Sequence, residues 1–221
     1  RAFGDIRAAI EAHAAGPRKT VTLAVGPIFG ARWLIPRLRR FRKQHPRIDL
    51  VLHHSPRITS SDHLTSNIAV DWGDGDWTGL DATRLMDIVY RPVLSPALLR
   101  ERGGLATPAD LGRFPIIHQH DRSEWHAWLA LVGQKGLALS EETIVTDSNI
   151  VTQAAIEGQG VALGIFPFIA SEVVAGRLVC PFDTELRPAR SYYLLTRGGA
   201  RRTAEIKAVC QWIEAEAARA P

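Results

Sequence analysis

The chain has 221 residues, 46% of them hydrophobic and 23% charged, and a net charge of +4. At roughly 100–200 residues per domain this allows one large domain or two small lobes, each with a real core, in an ordinary water-soluble composition. The basic excess is small and dispersed, so charge alone gives no ground for nucleic-acid binding, and no apolar run approaches the roughly 20 residues that span a bilayer.

Residues 1–15 carry Phe3, Ile6 and Ile10 on one helical ridge that "AAGP" ends. A chain opening inside a helix, without an initiator Met, reads as cut from something longer. The opening also lacks the compact apolar stretch of a signal peptide. "TVTLAVG" is a strand, "ARWLIPRLRRFRKQHP" a helix stopped at His45-Pro46, and "IDLVLHH" a second strand, which together make a strand–helix–strand unit with parallel pairing. "NIAVDWG" is the next strand. "ATRLMDIVYRPVLS" reads as one long extended segment and "PALLRERGG" as a short helix ending in Gly.

The alternation continues after "TPADLGRF" with the strand "PIIHQH", the helix "SEWHAWLALVG", the strand "TIVTD", the helix "SNIVTQAAIEG" and the strand "VALGIF". Then come the helix "PFIASEVVAG", the strand "LVCPF", the extended "RSYYLLTR" and a terminal helix striped by Ile206, Val209, Cys210 and Ile213. Such a β/α chain forms one open doubly wound sheet or a pair of them. The segments near residues 91 and 192 read as two crossings between lobes.

In open α/β sheets ligands sit at the carboxyl ends of strands. That rule selects Pro27, Ile28 and Phe29 after the first strand, Asp71 and Trp72 after the third, and Ser95 after the first crossing. In the second half it selects His118, then Asp147, Ser148 and Asn149 ahead of a helix, and Phe166 at the end of "VALGIF". Ser148 is a good helix N-cap, which leaves backbone N–H groups for a carboxylate or simply caps the helix. Asp71 with the Trp72 ring suits an ammonium; the alternatives are a solvated loop acid or an internal pair with Arg32.

Sharper motifs fail. "DGDWTG" opens like a calcium loop, but Leu85 stands where a bidentate Glu is needed. "HQHDRSEWH" gathers His118, His120 and His126, yet the first two lie on one face of an extended segment with no Cys nearby, and no zinc is expected. No G-x-S-x-G nucleophile motif occurs, and no cofactor or enzyme activity is implied. Cys180 and Cys210 lack metal-type spacing and read as reduced thiols of a cytoplasmic protein.

Taken in order, "RWLIPRLRRFRKQHPRIDLVL", "VDWGDGDWTGL", "PVLSPALL", "TPADL", "WHAWL", "IVTDSNIVTQAAIEGQGVALG" and "VVAGRLVCPF" resemble the effector-binding domain of LysR-type transcriptional regulators, in the glycine-cleavage-activator branch. The resemblance implies two Rossmann-like lobes joined by two crossing strands, like periplasmic binding proteins of type II, with a small inducer in the cleft. It places the end of a linker helix at residues 1–16, lobe I at 17–91 and 192–221, and lobe II at 92–191. A winged helix-turn-helix would precede this chain and supply the DNA contact. The implied partners are the inducer and further copies in a homodimer or tetramer, with no membrane. A secreted solute-binding protein of the same fold is the alternative. The chain departs from the branch at Ile28, where a Ser is usual, and at Asp71, which replaces the arginine of an Ala-Ile-Arg-aromatic-Gly strand. An anion in place of a cation should reverse the charge preferred at that wall.

Overall fold

The computed structural model describes residues 18–55, 65–198 and 203–219. The expected linker helix at residues 1–16 lies outside them.

Strand β1 (Lys19–Val25) pairs in parallel with β2 (Ile48–His54) and with β3 (Ile68–Gly73). The expected single helix between β1 and β2 is instead three short pieces: a π-helical turn at Phe29–Leu34, a 3-10 turn at Ile35–Arg37, and α1 (Leu38–Gln44). Pro36 explains the break. It has no N–H to donate, and its ring crowds the carbonyl one turn back, so a regular helix cannot run through it.

The expected long extended segment is two strands in different sheets. Strand β4 (Leu80–Met86) is an edge of the first sheet, and β5 (Val89–Val93) is an edge of the second. The break falls at Asp87–Ile88, and β5, expected ahead of a boundary at residue 91, pairs with β8. After α2 (Pro96–Glu101) come β6 (Pro115–Gln119), α3 (Ser123–Leu131), β7 (Glu141–Val145), α4 (Ser148–Ile156), β8 (Val161–Phe166) and the short α5 (Ala170–Val174). The expected strand "LVCPF" reduces to a single bridge between Leu94 and Val179. The chain then returns through β9 (Ser191–Arg197), antiparallel to both β3 and β4, and ends in α6 (Ala204–Ala218). The sheet orders are β2-β1-β3-β9-β4 and β5-β8-β6-β7.

One hydrophobic cluster runs through both lobes. Its bridge is aromatic. Phe168 of the second lobe meets the rings of Phe29 and Tyr192 of the first edge-on, at 6.2 and 5.1 Å between centroids. Phe29 also stacks on Tyr192 at 5.7 Å and on Trp33 at 4.6 Å. Such pairs add about 0.5–1.5 kcal/mol each beyond area burial, so the lobes are docked by packing as well as by two covalent links. Within the second lobe Trp125 and Trp128 are fully buried, and their indole N–H groups donate to the Ile117 and Thr184 carbonyls at 3.0 Å.

Strands β6 and β8 approach so closely that a Cβ at Gly160 would stand 2.7 Å from the Pro115 carbonyl oxygen. Backbone cannot yield as a side-chain tip can. Gly160→Ala is therefore expected to cost about 1–3 kcal/mol in urea unfolding, and an unchanged midpoint would contradict this packing.

Candidate functional site

A cavity of about 280 Å³ opens between the lobes at the carboxyl ends of β1, β3 and β6. Its first-lobe wall is Pro27, Ile28, Asp71 and Trp72; its second-lobe wall includes Gln119, His120, Glu124 and Ser148. The crossing strands close the floor with Ile88, Tyr90 and Tyr192, and Arg190 stands at its rim.

Of the residues selected from the sequence, Pro27, Ile28, Asp71, Trp72 and Ser148 come together here. Asp71 bends back on itself, one carboxylate oxygen accepting from the Trp72 backbone N–H at 2.8 Å. Trp72 leans on Tyr192 at 5.2 Å. The second indole of the "DWGDGDW" stretch goes elsewhere: Trp77 packs over Gly73 and Tyr193, beside Ala24, Ala69 and Leu195 on the other face of the sheet.

The remaining candidates have other work. Phe29 is fully buried in the aromatic bridge. Ser95 is buried as the cap of α2, its hydroxyl accepting from Leu98 N–H at 3.2 Å. Phe166 lines a cavity away from the cleft, under Arg91. The cap of α4 is Asp147, not Ser148: the Asp147 carboxylate accepts from the Asn149 and Ile150 N–H groups at 2.8 and 3.2 Å. Those donors are thus already used. Ser148 instead turns its hydroxyl to accept from Gln119 Nε2 at 2.7 Å.

Asn149 accepts from Arg32 Nε at 3.2 Å, and Arg32 also reaches Glu172 at 2.8 Å. These contacts join the π-helical turn of the first lobe to α4 and α5 of the second. Arg32 is therefore an interlobe tie. The Arg32 and Glu172 side chains are only 16% and 10% exposed, so this pair is less screened than a surface pair.

His118 is fully buried, with Nε2 2.8 Å from the Glu142 carboxylate, whereas its neighbour Gln119 faces the cleft. Strand alternation explains the swap. His120 does not continue the strand, as the sequence reading had it. Its φ is +62°, and the Asp121 N–H donates to the Gln119 carbonyl at 2.7 Å, which closes a three-residue γ-turn. Among the described residues it is the one non-glycine residue with positive φ, and it sits at the mouth of the cavity. Backbone strain of this kind clusters at ligand sites. No group of three His, Cys, Asp or Glu among the described residues is arranged to hold a metal.

The sequence reading missed Tyr90, Gln119, Glu124, Arg190 and Tyr192. A tyrosine in each of the two crossing strands was the available signal for Tyr90 and Tyr192. Burial holds both hydroxyls protonated, well above the usual tyrosine range, and Glu124 adds to the effect at Tyr90. They can therefore act as hydrogen-bond donors at neutral pH. Gln119 Oε1 is buried and has no hydrogen-bond partner among the described residues.

Three comparisons bear on this architecture. A family model described as the LysR substrate binding domain matches residues 14–218. The glycine cleavage system transcriptional activator of Escherichia coli K12 is 34% identical over 93% of the chain, a stretch that makes up 68% of that relative. The transcriptional activator AmpR of Pseudomonas aeruginosa is 29% identical over 96% of the chain and 71% of its own length. The solved effector domain of that regulator superposes with a TM-score of 0.79 at 26% identity, covering 90% of this chain and 96% of the other.

Burial pushes the His118 pKa below the ordinary 6.5, outweighing the upward pull of Glu142. The unfolded chain then takes up a proton that the folded chain refuses, so this contribution to stability is present above 6.5 and lost as pH falls through and below it. Urea unfolding on either side of that pH should show the loss in the native chain and a flatter dependence in His118→Asn. Equal slopes would contradict the neutral, buried imidazole.

Proposed function

The chain belongs to the family of LysR substrate-binding domains, the effector-binding part of LysR-type transcriptional regulators, and from that premise we propose that its interlobe cleft senses a small zwitterionic metabolite carrying an amine and a carboxylate. The observation that carries this reading is the mixed character of the cavity. Acceptors and donors face it together: the carboxylates of Asp71 and Glu124 and the Gln119 Oε1, which has no hydrogen-bond partner among the described residues, with Arg190 and the Ser148 hydroxyl as donors. Ser148 Oγ already accepts from Gln119, which leaves its own hydrogen for a further acceptor. Arg190 also holds Asp74 through Nε at 3.2 Å, which leaves its terminal N–H groups for a ligand carboxylate beside the Ser148 hydroxyl, while the carboxylates of Asp71 and Glu124 favour an amine. A volume of about 280 Å³ suits an amino-acid-sized ligand.

Trp72 offers its ring to the ammonium, as the sequence reading held. Ile28 presents an apolar surface to the cleft. The cleft needs no bond chemistry to do its work. A ligand bridging both walls binds one lobe arrangement better than another, and that difference in affinity is what biases a regulator. In the intact protein the response passes to DNA through a winged helix-turn-helix, in a cytoplasmic assembly of two or four copies. Among the described residues no helix is long and apolar enough to cross a membrane.

The test is thermal unfolding of the chain against amino acids, the matching amines and the matching carboxylic acids, with Asp71→Ala alongside. An amino acid at a hundredfold excess over its Kd should add about 2.7 kcal/mol, and the variant should lose that gain while unfolding as cooperatively as before. Stabilisation by carboxylic acids that lack an amine, undiminished in Asp71→Ala, would refute the zwitterion.

A further inference from the structure

A second cavity, of about 550 Å³, lies against the same crossing strands. Trp33, Met86, Val89, Phe166, Pro167 and Ala170 make it mainly apolar. Strand alternation sets it back to back with the cleft. Ile88 and Tyr90 face the cleft whereas Asp87 and Val89 face the second cavity; in β8 the same division separates Ile165 from Phe166. Both lobes and the link between them contribute to its walls.

The charge around it is uneven. Arg37, Arg187 and Arg219 line the cavity. Behind them the Glu216 carboxylate, 1% exposed, is shared by Arg40 at 2.5 Å, Arg219 at 2.6 Å and Arg37 at 3.9 Å, so one buried anion faces three guanidiniums. Asp87, the acid in the lining, is already held by Arg84 at 2.5 Å and by the Ser191 hydroxyl at 2.7 Å. Arg187 pairs at its exposed end with Glu185. Each guanidinium has five N–H donors, of which these contacts use one or two. The Arg37 guanidinium carbon stands over the Trp33 ring, 4.7 Å from its centroid, which places a cation at the edge of the apolar wall.

We propose that this cavity is a second ligand site, taking an amphiphilic monocarboxylate whose aromatic or aliphatic body lies on Trp33, Val89 and Phe166 and whose carboxylate meets Arg187 and Arg219. A ligand there wedges against the Met86–Val89 link and Pro167, on the opposite side of the strands from the cleft, so it reports to the same lobe arrangement as the cleft ligand. By reciprocity, whatever it does to cleft affinity the cleft ligand does to it. The site shares none of its lining residues with the cleft and does not depend on which metabolite the cleft binds.

The experiment is isothermal titration of the chain with 3-phenylpropanoate and with its charge-reversed counterpart 3-phenylpropylamine. The native chain and Asp71→Ala should bind the acid alike and in preference to the amine. The double variant Arg187→Glu, Arg219→Glu should weaken the acid by about tenfold or more. Ala170→Trp, which fills the cavity without changing charge, should do the same and guards against a folding defect in the charge variant. No binding to the native chain, equal binding of the amine, binding untouched by Ala170→Trp, or binding of the acid changed by Asp71→Ala would each overturn the proposal, the last by placing the acid in the cleft, where removing the Asp71 carboxylate relieves like-charge repulsion.

Discussion

The packing of Phe168 against Phe29 and Tyr192 is the contact on which the rest depends. Each lobe folds around its own sheet, but a cleft of fixed shape requires the two sheets to hold a defined relation. Two covalent crossings, at Asp87–Ile88 and just before Ser191, limit where the lobes can go without setting their angle. The aromatic bridge sets the angle near the crossings, and the Arg32 tie to Glu172 and Asn149 adds a second point of contact. A packed aromatic cluster has few alternative arrangements, whereas an ion pair can exchange partners. That division of labour leaves the lobes docked at the hinge and adjustable at the tie.

The same arrangement explains why the cleft carries charge of both signs. Strand ends from both sheets converge there, so Asp71 arrives with the first lobe, Gln119 with the second and Arg190 with the returning crossing. Tyr90 and Tyr192, both buried, form the floor between them. The γ-turn at His120 lifts the Gln119–Asp121 segment toward the opening, where a bound ligand can compensate its strain.

Much of this was legible along the chain, because hydrophobic alternation and turn residues are local signals. The β/α order, the two crossings and the strand ends bearing Pro27, Asp71 and Trp72 follow from them. Side-chain direction is not local in the same sense. Ser95 and Phe29 stand beside strand ends yet turn inward. A one-residue shift in which side faces out exchanges His118 for Gln119, and Ser148 for Asp147 as the cap. The break between β4 and β5 is decided by pairing with β9 and β8, 69 or more residues away, so "ATRLMDIVYRPVLS" reads as continuous until those partners are present. Arg190 and Tyr192 reach the cleft by the same long return and left no mark near Asp71.

The central claim is that one ligand engages both lobes at once, and hydrogen exchange of the backbone amides measures it most directly. With a saturating amino acid from the thermal screen, exchange should slow together at residues 70–73 of the first lobe and 119–123 of the second. Protection confined to one of these segments would contradict a ligand held between the lobes.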